Sequence, residues 1–254
     1  MVLITCTVIY IIMKILCKVC FSSKRMNKWG GKPVSCDIHG LINTCLHSII
    51  KQIENDDEII FFVDGEQHSE YLHKICNYYK VNYKTIPLLY NDLAKTYMST
   101  IGYIEENIQN ENENIYLVDD DYFHFEGSLI KIKNFLIENP FYFCHPIDYP
   151  NLYESDERFI YNSKIIISAN HHWRTIKNTT ATIAFTKKLY NSKKHIFRAL
   201  KEEIFMLHGL NLLYVFNECY SPIPSLTSHI EMNCLPYTID TINEFDKLNK
   251  TIIQ

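Results

Sequence analysis

Glycine is scarce, with only seven in 254 residues. No Gly-x-x-x-x-Gly-Lys occurs, nor a Gly-x-Gly-x-x-Gly after a strand, so a glycine loop is not the device that would hold a phosphate. A basic excess is missing as well. Lys and Arg total 25 against 29 Asp and Glu, a formal charge of -4, which argues against a general nucleic-acid binder. The N-terminal apolar run, Val2 to Met13, falls short of the about 20 residues that cross a bilayer. It has no basic stretch before it and no small-residue cleavage site after it. It reads as a short extension leading into a first strand around Ile12 to Phe21, with a weak signal-anchor as the alternative. Internal repeats and low-complexity blocks are also lacking.

What is present is a globular composition, 47% hydrophobic and 21% charged, which fits a folded chain of one large domain. The nine cysteines are irregularly spaced in a chain that needs no staples, so reduced thiols in a cytosol-like compartment are expected. Cys17-x-x-Cys20 has no second Cys/His pair at ligand spacing. It reads as part of a strand rather than as a zinc or redox motif.

Apolar runs and helical periodicities alternate over the first 140 or so residues. "EIIFFVDG" is a buried strand closed by Asp64-Gly65, and "EQHSEYLHKICNYY" places Tyr71, Leu72, Ile75 and Tyr79 near helical spacing. "VNYKTI" follows as a strand, then a helix opened by Asn91, then the strand "NIYLV" and a helix capped by Ser128. This β-α-β-α-β-α order implies a mostly parallel sheet with helices on both faces. Beyond it, "FYFCHPID", "KIIISAN" and "TTATIAF" read as strands. A helical region is expected over about Thr186 to Leu207, then a strand "NLLYVF" and a proline-containing tail.

The strand "NIYLV" runs into Asp119, Asp120 and Asp121. Alternation along an extended chain aims Asp119 and Asp121 the same way and Asp120 elsewhere. Two converging carboxylates repel each other unless a cation sits between them, and oxygen ligands of this kind suit Mg2+ or Mn2+. The alternative is a solvated acidic turn.

Four segments in order then resemble a known group. They are "YLVDDDYFHFEGSL" (Tyr116 to Leu129), "HPIDYPNLY" (His145 to Tyr153), "HHWRTIKNTTATIAF" (His171 to Phe185) and "SPIPSLTSHIE" (Ser221 to Glu231). Together they are similar to GT-A-type glycosyltransferases, and in particular to small single-domain glycosyltransferase-like proteins of phages and large viruses. The resemblance spans about residues 58 to 231; the N-terminal extension is unmatched, and "ALKEEIF" matches only loosely.

The resemblance implies a GT-A-like α/β domain with a central mostly parallel mixed sheet. Residues 1–12 would be an extension, about 13–140 a nucleotide-donor half, and about 141–254 an acceptor half with a tail. It implies Mn2+ or Mg2+ held by Asp119 and Asp121, with His229 returning late to the metal. It further implies a nucleotide-diphosphate sugar as donor, met by Asp64, Asn91 and Asp120 (the last at ribose or backbone), and a glycan or protein hydroxyl as acceptor. The His-His-Trp-Arg cluster adds Trp173 to stack on a sugar, Arg174 for phosphate and His172 for an acceptor hydroxyl. A tryptophan anchoring a β corner is the plainer reading of that cluster. A general base is expected at Glu202 or Glu203. No nucleic-acid partner is expected, and the location would be cytoplasmic (host cytoplasm or virus factory if viral). A nucleotidyltransferase and a catalytically silent sugar-binding or assembly module are the alternatives.

Overall fold

The structure, a computed structural model, describes residues 11–20, 33–54, 56–64, 68–88, 93–153, 163–176, 182–199 and 218–253. Strand β1 (Met13–Val19) lies at the heart of a nine-stranded sheet. To one side it pairs in parallel with β2 (Glu58–Asp64), which pairs with β3 (Asn82–Leu88). To the other it pairs in parallel with β4 (Asn114–Asp119). Then come β9 (Ile183–Thr186), β6 (Phe143–Cys144), β10 (Cys219–Ile223), β8 (His171–Ile176) and β7 (Ile165–Ser168). Strands β8 and β9 run against their neighbours. A two-stranded ribbon joins β5 (Tyr122–His124) to β11 (Thr227–His229).

The central strands are apolar through most of their length because helices cover both faces. On one face Ile15, Cys17, Phe61, Tyr116 and Val118 pack under α1 (Ile38–Ile50) and α4 (Ser128–Glu138). On the other, Leu16, Ile60, Phe62, Ile115 and Leu117 meet α3 (Leu93–Asn107) and α5 (Lys187–Ala199). The helix α2 (Ser69–Tyr79) follows β2, and α6 (Thr241–Ile253) closes the described chain. Asp37 caps α1 by accepting from the Gly40 N–H at 2.7 Å, and α2 ends where Lys80 turns left-handed at φ 57°. Pro87 is tolerated because β3 is an edge strand.

Several sequence expectations change. The helix α1 carries Leu41, Ile42, Cys45, Leu46, Ile49 and Ile50 inward and was not anticipated. Ser128 is the first residue of α4, after Gly127, rather than its cap; its N–H and hydroxyl meet Gln52 Oε1. The His-His-Trp-Arg cluster is itself a strand, β8. The proline-containing tail holds β10, β11 and α6. "NLLYVF" and the far end of the expected long helix lie outside the described residues.

Candidate metal and nucleotide site

The chain passes outward from β1 to β2 and β3, then returns to β4 on the other flank of β1. Such a reversal leaves a crevice at the carboxyl ends of the two strands, where open α/β sheets take their ligands. The triplet Asp119–Asp121 lies there. Asp119 stands in register with Lys18 of β1, and its carboxylate is 3.7 Å from the ammonium. The side chains of Asp119 and Asp121 keep 24% and 23% of their surface open. Asp120 is 2% exposed and accepts the Cys20 N–H at 2.6 Å. The Asp120 carboxylate thus engages the protein backbone. The Cys20 thiol lies 3.6 Å from Asp64 at the end of β2. Burial, reinforced by the three aspartates, pushes the Cys17 thiol well up, so it stays protonated and inert.

The ribbon supplies the remote partner. Pairing of β5 with β11 sets His229 opposite Tyr122. Their rings stack at 4.8 Å and 3°, which fixes the imidazole with Nε2 at 3.2 Å from Asp121 Oδ2. The Ile230 N–H closes the corner on the Asp121 carbonyl at 3.1 Å. Burial alone would lower the pKa of His229, but Tyr122, Asp121 and Cys234 outweigh it and hold the ring well above its ordinary value. Just beyond, Glu231 Oε1 is 3.8 Å from His229 Nε2.

The remaining expected residues divide. Trp173 is fully buried, 4.1 Å from the Phe135 ring, and donates its indole N–H to the Ser168 carbonyl at 2.9 Å. It offers no face to a sugar, which corrects that expectation in favour of the β-corner reading. Arg174 is held by the buried carboxylate of Asp148 and stacks 4.3 Å above Tyr153, which donates its hydroxyl to the same carboxylate. Its guanidinium is thus committed within the fold and does not reach out to phosphate. Burial pushes the Asp148 carboxyl up, and Tyr153 and Arg174 only partly offset this. His172 is exposed on β8, in register with Ile223 at the end of β10. Asn91, Glu202 and Glu203 lie outside the described residues.

Sequence reasoning missed Lys18, Tyr122, Asp148, Glu231 and Cys234. For the last two a signal existed: His229-x-Glu231-x-x-Cys234 puts three donor types within six residues. For Asp148 and Arg174 none did, since 26 residues separate them.

No family model and no curated protein matches the chain. Solved structures do. A crystal structure of GalNAc-T7 with UDP, GalNAc and Mn2+ aligns at a TM-score of 0.54 and 9% identity, over 87% of this chain and 44% of that one. S. aureus TarS 1-349 aligns at 0.51 and 15% identity, over 82% of this chain and 57% of that one. A 4-diphosphocytidyl-2C-methyl-D-erythritol synthase aligns at 0.46 and 12% identity, over 94% of this chain and 99% of that one. The chain thus spans about half the length of the first two. The architecture shared with the first two, a large mostly parallel sheet between helices, is a GT-A-like fold.

Proposed function

We propose that this protein is a metal-dependent glycosyltransferase, a hexosyl- or pentosyltransferase that moves a sugar from a nucleotide-diphosphate donor to a hydroxyl acceptor. The observation that carries the reading is the approach of His229 to Asp121, at 3.2 Å, at the carboxyl edge where the strand order reverses. Asp119, Asp121 and His229 offer two carboxylates and an imidazole, partly open to solvent, a donor set that fits Mn2+ or Mg2+. When bound there, the ion neutralises charge on the departing nucleotide diphosphate.

The chain's own groups take the other tasks. Lys18 adds a positive charge beside Asp119 and faces the diphosphate. Asp64 and the Cys20 backbone frame the nucleoside at the ends of β2 and β1. Tyr122 keeps the His229 ring from rotating. The acceptor lies in the adjacent cleft of about 430 Å³, lined by Pro150, Met232, Leu235, Pro236 and Tyr237. Its apolar rim suits an acceptor with a ring or apolar face. His172 orients the acceptor hydroxyl and Glu202 or Glu203 takes its proton.

The test is a panel of nucleotide sugars, each with and without Mn2+, read by nucleotide release and sugar transfer. Metal-dependent release that disappears in Asp119→Ala/Asp121→Ala is expected. Pyrophosphate release from a nucleoside triphosphate and a sugar phosphate would make the protein a nucleotidyltransferase instead. Sugar binding without turnover would make it a silent module.

A further inference from the structure

We propose that Glu231 and Cys234 join Asp121 and His229 in one metal centre, and that its thiolate makes the centre prefer thiophilic cations such as Zn2+ and Co2+ over Mg2+. The inference rests on the reading of Asp121 and His229 as metal ligands.

The local chain geometry assembles the donors. After β11 the Glu231 N–H donates to the His229 carbonyl at 2.8 Å, and the Cys234 N–H donates to the Glu231 carbonyl at 2.9 Å. The second bond belongs to a single 3₁₀ turn, Met232–Cys234, with Glu231 as its cap. The turn brings Cys234 back beside the extended Glu231. One ligand atom from each of His229, Glu231 and Cys234 falls within 4.8 Å of the others. Asp121 Oδ2 lies 3.2 Å from His229 Nε2, on the flank of this triad, whose three donors alone fall within 4.8 Å of one another.

Those spacings can be compared with a real centre. Ligands about 2.0–2.3 Å from a zinc ion in tetrahedral order sit roughly 3.3–3.7 Å from each other. The His229–Asp121 and His229–Glu231 separations, 3.2 and 3.8 Å, already match. Cys234 Sγ is 4.0 Å from Glu231 Oε2, inside the 4.8 Å that encloses the three donors. All four side chains are partly exposed, so an ion can enter from the crevice. On binding, the Cys234 thiol and the His229 ring each release a proton to solvent, and the sulfur and the freed imidazole nitrogen would form the metal bonds. A sulfur ligand favours Zn2+ and Co2+, whereas Mg2+ prefers oxygen alone.

The experiment is a titration of the metal-free full chain with Co2+ alone. The wild type should develop the near-ultraviolet charge-transfer band of a thiolate bound to cobalt. Cys234→Ser, shown to be folded by circular dichroism, should bind Co2+ without that band. Glu231→Gln should keep the band but weaken Co2+ binding by at least the roughly 10–100-fold that loss of an outer partner costs. Co2+ binding to the wild type with no such band, or a band that survives Cys234→Ser, would overturn the thiolate ligand. In that case Mn2+-dependent nucleotide-sugar hydrolysis, lost in Asp121→Ala, would still stand for the three-ligand site. If the wild type binds no Co2+ and shows no such hydrolysis, both readings fail together.

Discussion

The backbone N–H of Cys20 donates to the Asp120 carboxylate at 2.6 Å, across 100 residues of chain. It ties the end of β1 to the end of β4 at the mouth of the crevice. Removing that carboxylate strips a buried N–H of a charged acceptor, so Asp120→Ala should cost roughly 1.5–3 kcal/mol of stability. Asp119→Ala removes only a partly exposed pair with Lys18, worth about 0–1 kcal/mol. Urea denaturation of the two variants without metal should therefore separate a structural aspartate from its neighbour.

Stability should fall on mild acidification. His124 is buried, with Nδ1 on the Tyr122 carbonyl and Nε2 facing the Tyr116 hydroxyl. His145 is buried against the Thr182 carbonyl. Burial pushes His124 from 6.5 down to about 3 and His145 down to about 4. Below 6.5 the unfolded chain takes up protons that the folded one refuses. Each ring then removes up to about 1.4 kcal/mol per pH unit as the pH drops, until His145 protonates near 4. Urea midpoints measured across that window check the slope. His124→Gln should lower it by one ring's share.

Lys133 reaches from α4 to Asp57 at 2.9 Å and to Glu54 at 3.1 Å, and Asp57 also accepts the Met13 N–H at 2.7 Å. Asp57→Ala should be among the more damaging changes in the chain, up to about 3–5 kcal/mol, because it leaves the Lys133 ammonium only the largely exposed Glu54 and strips the Met13 N–H of its acceptor. Thermal unfolding of this variant is the check.

Trp173→Ala should cost about 3–5 kcal/mol, the usual cost of emptying a large buried site. In the proposed reaction it should leave the KM for donor unchanged at temperatures where the variant is folded. A large KM effect with unchanged stability would restore it as a sugar-stacking residue.

A nucleoside diphosphate with Mn2+ should raise the melting temperature more than either alone. The gain is about 2.7 kcal/mol at a hundredfold excess over Kd. His229→Ala should abolish the Mn2+-dependent part.

Much of the first half of the fold was legible because β2 and β4 hold continuous apolar runs and α2, α3 and α4 repeat at helical spacing. The helix α1 carries the same helical signal, with the pairs Leu41–Ile42, Cys45–Leu46 and Ile49–Ile50 four residues apart, so no physical cause in the sequence hides it. The tail escaped because β10 and β11 are five and three residues long and form only by pairing with β6, β8 and β5. Asp120 does part from its neighbours in burial, but β4 ends at Asp119, so a turn and not strand alternation separates them. Arg174 could not be read, since its partner Asp148 lies on another segment and local patterning carries no trace of it.

His229 meets Asp121 from 108 residues further along the chain. During synthesis the amino-terminal strands emerge first and can pair before the carboxyl-terminal ribbon exists. The aspartate triplet is therefore in place while the histidine is still inside the ribosome. In the proposed site the donor set is complete only once β11 has been translated, so a chain cut short before β11 would keep most of its sheet yet lack His229.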